Sequence, residues 1–139
     1  MSISYSGGCA CKAIRYECSA EPIFSLNCHC RDCQRATGSA YASVRIVPAS
    51  AFRIVSGEPR YHRVKSDLDH DVGRGFCPDC GSPILGTIAE KPEIVLIFCG
   101  SLDDPSQYSP SMDFYTTSAQ PWDFMDPALT KYAKGLSNS

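Results

Sequence analysis

The chain has 139 residues, 43% of them hydrophobic and 20% charged, with a formal net charge of -2. This suits a single globular domain over residues 1–139 with its own core, and it offers no electrostatic attraction to nucleic acid or to an anionic membrane. The N-terminus lacks the basic start and apolar run of a signal peptide, and the longest apolar run, Ile94 to Cys99, is strand-sized, so a cytoplasmic, reducing location is expected.

Taken in order, Ser4 to Ser6 opens a strand and Gly7-Gly8 turns the backbone into Cys9. Ala13 to Cys18 alternates β-rich residues and predicts a strand, as does Ile23 to Asn27, which leads into Cys28. Arg31 to Thr37 predicts a short helical turn closed by Gly38 as a left-handed cap. Ala40 to Val47 is a strand ended by Pro48, and Phe52–Val55 and Tyr61–Val64 are strands on either side of a turn at Gly57-Glu58-Pro59. Ser66 to Gly73 reads as a polar loop, and Arg74-Gly75-Phe76 runs from it into Cys77. Pro83–Ile88, Ile94–Cys99 and Asp113–Thr117 complete the strands. Asp126 as N-cap, Pro127 at the first position and Gly135 beyond predict a short C-terminal helix, which holds no metal-binding side chain and is expected to be peripheral to any chemistry. The fold class is therefore all-β, mostly antiparallel, with short strands and one terminal helix. Tyr5, Tyr16, Phe24, Phe76, Phe98 and Trp122 are expected in its core.

Seven of the nine cysteines fall into three clusters, Cys9-Ala10-Cys11, Cys28-His29-Cys30-Arg31-Asp32-Cys33 and Cys77-Pro78-Asp79-Cys80-Gly81. An odd total and a reducing compartment favour metal or redox chemistry over a disulfide framework. Cys77 and Cys80 form a knuckle, two thiolates aimed at one ion by a tight turn, with Gly81 supplying the positive φ such a turn wants. With Cys9 and Cys11 they make a four-thiolate set that closes a structural Zn²⁺ site; a redox dithiol at Cys77/Cys80 is the rival, without the βαβ context that such dithiols have. Cys28, Cys30 and Cys33 number three, which leaves one position of a tetrahedron open, as in catalytic zinc sites that take a small-molecule ligand. A thiol entering that position would bind as thiolate and stay nucleophilic, which suits addition to a small electrophile. Two other readings stand beside it: a second structural zinc with His29, His62 or His70 as fourth ligand, or a reducible Cys30/Cys33 pair without metal. His29, between two ligands on extended chain, is expected to point away from their metal. Arg31, Arg35, Arg45, Lys65 and Arg74 are candidates to meet a substrate carboxylate. Cys18 and Cys99, at the ends of apolar strands, are expected to be buried free thiols.

The ordered motifs Gly7-Gly8-Cys9-Ala10-Cys11, Ile14-Arg15-Tyr16, Cys28-His29-Cys30-Arg31-Asp32-Cys33-Gln34-Arg35 and Phe76-Cys77-Pro78-Asp79-Cys80-Gly81-Ser82 resemble the glutathione-dependent formaldehyde-activating enzymes. Gly100-Ser101-Leu102-Asp103-Asp104-Pro105 and Pro121-Trp122 extend the resemblance over roughly residues 4 to 124. It implies an Mss4-like β-tent around a structural zinc held by Cys9, Cys11, Cys77 and Cys80. It also implies a second, catalytic zinc on Cys28, Cys30 and Cys33, a site that can be partly occupied. The implied reaction is a carbon–sulfur lyase or synthase reaction joining a thiol, glutathione by family, to formaldehyde or a small aldehyde, as in S-(hydroxymethyl)glutathione synthase. A non-catalytic zinc-stabilised binding module and a thiol redox protein are the alternatives; the chain lacks the basic tail or patch that such a module for nucleic acid or microtubules would carry. Lys12 stands where the family commonly has glycine, so a positive φ there would carry local strain.

Overall fold

Tyr16 and Cys18 are fully buried while Arg15 and Glu17, between them, reach towards solvent. This two-residue period makes 15–18 a strand with one wet face. Ala42–Pro48 behaves differently, because almost all of its side chains are buried and both of its faces are covered. These two patterns, an outer half-wet strand and an inner dry one, set the layering of the molecule.

The computed structural model describes residues 4–136. In order the elements are β1 (Tyr5–Gly8), β2 (Arg15–Cys18), β3 (Phe24–Cys28), α1 (Arg31–Thr37), β4 (Ala42–Pro48), β5 (Phe52–Ser56), β6 (Arg60–Lys65), β7 (Asp71–Phe76), β8 (Pro83–Ile88), β9 (Ile94–Phe98), β10 (Met112–Phe114) and β11 (Thr130–Lys131). Strands β1, β2 and β5 form a three-stranded antiparallel sheet. The other eight form a larger sheet in the order β11-β10-β3-β4-β9-β8-β7-β6, antiparallel except where β10 pairs with β3 and β11. The fold is all-β, as the sequence predicts.

The two sheets enclose a core of Ile14, Tyr16, Cys18, Val47, Ile84 and Ile97, all at most 1% exposed. Each such side chain contributes about 1.5–3 kcal/mol by leaving water. Polar ties close the edges of this layer: the Tyr16 hydroxyl lies 2.6 Å from Ser101 Oγ, and Arg15 donates two hydrogen bonds to the Asp103 carboxylate. The outer face of the large sheet carries a second apolar cluster of Leu26, Ala42, Val44, Ile46 and Phe98, against which Cys33 packs. That face positions the functional site. Among the described residues no helix is long and apolar enough to cross a membrane.

Most expected elements are present, with shifts of one to three residues at their ends, the largest where the strand expected at Asp113–Thr117 is Met112–Phe114, and α1 ends on Gly38 at φ 67. Four expectations are corrected. Residues 71–73, read as loop, extend β7, because Asp71, Val72 and Gly73 find partners on β6 and β8. Strands β5 and β6, expected about one turn, join different sheets. Trp122 is 70% exposed rather than buried. The C-terminal helix is absent. Asp126 does cap the turn, accepting from the Ala128 amide, and the Leu129 amide reaches the Asp126 carbonyl. After that single turn the Thr130 and Tyr132 amides go to the carbonyls of Ser111 and Asp113, so the chain is captured as β11. A cap starts a helix, but six or seven residues without a tertiary face cannot outcompete an open strand edge.

Candidate metal centres and the adjoining cleft

The first centre is built by two turns. In the Cys77–Cys80 knuckle the Gly81 amide donates to the Cys77 carbonyl at 2.8 Å, and Gly81 takes φ 79. In the Cys9–Cys11 turn the Lys12 amide donates to the Cys9 carbonyl, and Lys12 is itself left-handed at φ 69. The strain expected of a lysine at this position is therefore present. The Ile14 amide also donates to Cys9 Sγ, and the Ala10 amide reaches Ser82 Oγ on the opposite turn. The four sulfurs of Cys9, Cys11, Cys77 and Cys80 all lie within 4.8 Å of one another. Cys11 Sγ is 3.6 Å from Cys9 Sγ and 3.7 Å from Cys77 Sγ. Zinc–sulfur bonds of about 2.3 Å in a tetrahedron place sulfurs about 3.8 Å apart, so this set fits a zinc ion.

The second centre lies on the outer face of the large sheet. Strand β3 ends at Cys28, the chain turns through His29, and Cys30 caps α1 by accepting from the Cys33 amide at 3.3 Å. One helical turn then brings Cys33 back beside Cys28 and Cys30, and the three sulfurs converge within 4.8 Å. Among the described residues no histidine or carboxylate joins this group. His62 stands exposed on edge strand β6, and His70 lines the neighbouring cleft without reaching the sulfurs' circle.

Protonation within the set is uneven. The Cys28 and Cys33 thiols, followed by the Cys33 amide and the Arg74 charge, hold the Cys30 thiol far below its usual value, although burial opposes this. Cys28 is pushed well above its usual value by Cys30 and Cys33, with burial adding to the effect. One thiolate thus forms readily and its negative charge resists the next. A divalent cation removes that resistance, so the donor set fits a thiophilic metal. Arg74, from β7, donates to Cys33 Sγ at 3.4 Å.

His29 faces away from the sulfurs, as expected, and is fully buried. Its Nε2 is 2.8 Å from Asp113 Oδ1, and its Nδ1 is 3.0 Å from Asp123 Oδ2, close enough for ion pairing though not aligned as a hydrogen bond. Tyr41 packs on the ring, and Lys131 on β11 donates to Asp113 Oδ2 at 2.6 Å. The buried Gln34 amide group ties α1 to this loop by donating to the carbonyls of His29 and Ser118. The C-terminal segment is therefore a brace for the three-cysteine loop, contrary to the peripheral role expected of it. Local sequence patterns do not single out Asp113, Asp123 or Lys131; the one available signal is an aspartate inside the short apolar strand Met112-Asp113-Phe114.

Beside the three sulfurs the large sheet forms the floor of a cavity of about 370 Å³. Phe24, Leu26, Val44, Ile46, Leu96 and Phe98 line it, and Arg31, His70, Arg74, Lys91 and Lys134 also reach it. Of the candidate carboxylate partners, Arg74 and Arg31 reach this cavity. Arg31 is held by Gln34 Oε1, and Arg35 is exposed outside it. Arg45 is buried, stacks on Tyr5 and donates to the Gln107 carbonyl, so it belongs to the core and not to the site. Lys65 is exposed on β6. Tyr115, which the sequence does not single out, lines the cavity in a left-handed conformation at φ 59 and donates to Asp67 Oδ1 at 2.5 Å.

The sequence pattern of the glutathione-dependent formaldehyde-activating enzymes matches residues 4–118, most of the chain and both cysteine centres. The chain belongs to that family. A Colletotrichum graminicola protein, provisionally named a glutathione-dependent formaldehyde-activating enzyme, is 26% identical over 98 residues, 64% of this chain. The chain spans about half the length of that curated relative, 48% of which is covered. A crystal structure of a Rhodobacter sphaeroides protein superposes with a TM-score of 0.57 at 21% identity, covering 70% of this chain and 87% of the other, and shares the fold. In this family member the expected all-β architecture and two cysteine-rich groups able to hold metal ions are both present.

Proposed function

We propose that this chain is a zinc-dependent carbon–sulfur lyase or synthase that adds a thiol to formaldehyde or a small aldehyde, with Cys9, Cys11, Cys77 and Cys80 holding a structural ion and Cys28, Cys30 and Cys33 a catalytic one. The observation that carries this reading is the contrast between the two groups: four convergent sulfurs in one, three in the other with no fourth ligand among the described residues. Family membership supports glutathione as the thiol and formaldehyde as the electrophile.

A zinc ion on the three-sulfur site would supply the positive charge that strips the proton from a fourth sulfur at the open position. The residues of this chain do the remaining work. Arg74, donating to Cys33, offsets the excess negative charge of a three-thiolate site and keeps it able to accept another anionic sulfur. The His29–Asp113 and Gln34–His29 contacts fix the loop so that Cys28 and Cys30 present their sulfurs on one side. Arg31 and Arg74 line the cleft together with the three cysteines, which supports a role in meeting a carboxylate of the incoming thiol. The hydrophobic walls exclude water from the carbonyl carbon, which favours addition of sulfur over hydration. In the reaction a C–S bond forms, the carbonyl π bond breaks, and the oxygen takes up a proton equal to the one the thiol released.

Cobalt substitution tests this reading. Adding glutathione to the Co²⁺ protein should raise the sulfur-to-cobalt charge-transfer absorption, and formaldehyde exchange with glutathione, followed by NMR, should accelerate with the wild type and not with Cys30→Ser. A spectrum insensitive to added thiol would mean that the second site is closed and structural.

A further inference from the structure

Neither formaldehyde nor glutathione explains the apolar floor of the cavity beside Cys28, Cys30 and Cys33. Formaldehyde has two heavy atoms, whereas the cavity holds about 370 Å³, within the range of pockets that enclose whole organic ligands. Glutathione carries two carboxylates, an amino group and two amides, whereas the floor is aliphatic and aromatic. That floor is continuous across five strands by register: Leu26 lies beside Val44 and Val44 beside Phe98, Ile46 beside Leu96 and Leu96 beside Gly86, with Val72 beside Ile88. Phe24 is four residue steps along β3 from Cys28, so the surface extends about 13 Å along the strand from that cysteine.

Gly86 deepens the cavity. A Cβ at this position would meet Leu96 Cβ at 3.4 Å and Phe98 Cζ at 3.5 Å, ordinary contact distances, with no positive φ to forbid a side chain. A Cβ fits there in ordinary contact, so a side chain longer than that would press on the cavity floor between Arg74 and Leu96, the two register neighbours of Gly86.

Arg74 lies against Cys33 and Arg31 is on α1 next to Cys30, so two cations stand beside the sulfurs, where the thiol's polar groups would be, while His70, Lys91 and Lys134 reach the cavity from other elements. The floor itself is apolar.

Resting on the thiol-addition reading above, we propose that the second reactant is an aldehyde with an apolar chain of several carbons, which lies on Leu26, Val44, Leu96 and Phe98 and passes over Gly86. The chain remains unchanged in the reaction: sulfur bonds to the carbonyl carbon, the C=O π bond breaks, and the oxygen is protonated to a hydroxyl as the thiol proton is lost.

The test uses hexanal, with hexanamide as its unreactive analogue. In methyl-labelled protein, with and without zinc, hexanamide should shift the signals of Leu26, Val44 and Leu96 saturably. With glutathione as thiol, zinc-loaded protein should show a kcat/KM for hexanal at least tenfold above that for formaldehyde. Gly86→Val, or Leu96→Trp should the first variant fold poorly, should lower the hexanal-to-formaldehyde ratio at least tenfold. Absence of hexanamide shifts, or turnover of formaldehyde in preference to hexanal, overturns the assignment and leaves thiol addition standing. If hexanamide binds but neither aldehyde is turned over, the thiol-addition reading fails and the substrate class fails with it. Faster reaction of hexanethiol with formaldehyde than of glutathione with hexanal would place the apolar chain on the thiol and also overturn it.

Discussion

Arg74 Nη2 lies 3.4 Å from Cys33 Sγ, a contact between β7 and α1 that spans 41 residues of sequence. The guanidinium is the positive charge that the structure sets directly against the three-sulfur group, and removing it should weaken metal binding there. Partners of this outer kind typically contribute 10–100-fold to metal affinity. Arg74→Leu should therefore weaken cobalt binding at the second site by about tenfold near neutral pH, with a smaller loss for Arg74→Lys, which keeps the charge and loses the fork. Competition with a chelator, read from the cobalt spectrum, measures both.

The two cysteine groups should respond differently to loss of one ligand. Cys77→Ser or Cys80→Ser breaks the link between the first turn and the middle of the chain, and structural zinc sites carry about 10 kcal/mol or more of apparent binding free energy. These variants should unfold or aggregate. Cys30→Ser should leave a folded domain with one fewer metal ion. Circular dichroism and zinc counting on the same preparations decide the matter, and equal damage from both changes would refute the division.

His29 and Asp113 form a fully buried pair. Breaking a buried pair by removing one partner commonly costs about 3–5 kcal/mol, because the other is left uncompensated. Asp113→Ala should destabilise by that order in urea unfolding and should also loosen cobalt binding on either side of His29. Truncation after Met125, which removes Lys131 and β11 and so takes a partner from Asp113, should show a weaker form of the same double effect.

Asp103 supplies a prediction with pH. Its carboxyl is held at about 2, first by the hydrogen bonds from Arg15 and then by that from Ser6. A carboxyl depressed on folding stabilises the native state above its unfolded value near 3.8, and the stabilisation is lost as pH falls through the folded value. The difference in stability between wild type and Asp103→Asn should be constant from neutral pH down to about 5 and should shrink steadily below that, as pH falls through both values. The pair is partly exposed, so added salt should reduce the difference.

Lys12 is a place, outside the three-cysteine site, where a glycine should improve the fold. A non-glycine residue at φ 69 carries a strain of about 1 kcal/mol. Lys12→Gly should raise thermal stability by up to that amount without changing the zinc content, whereas Lys12→Val should lower it.

The strands, the helical turn at Arg31–Thr37 and the grouping of the cysteines are legible in the amino-acid sequence, because each rests on local chemistry. A two-residue period makes a half-buried strand, Gly38 and Gly81 mark left-handed turns, and thiols within a few residues of one another can share an ion whatever the rest of the chain does. The turning of His29 away from the sulfurs is legible in the same way, since neighbours on extended chain face opposite ways. The residues that complete the site are not legible, because their roles depend on neighbours far along the chain. Arg74 matters through Cys33, Asp113 through His29, and Lys131 through Asp113, all brought together by the order of strands in one sheet. The same non-local pairing makes residues 130–131 a strand where local signals predict a helix: caps act within one turn, whereas an unpaired edge of β10 satisfies backbone groups over the whole segment. The apolar floor beside the sulfurs belongs to this second kind. Alternation shows that β3, β4 and β9 each have a hydrophobic face, but which face meets the other sheet and which lines a cavity is decided by the packing of two sheets, a property of no single strand.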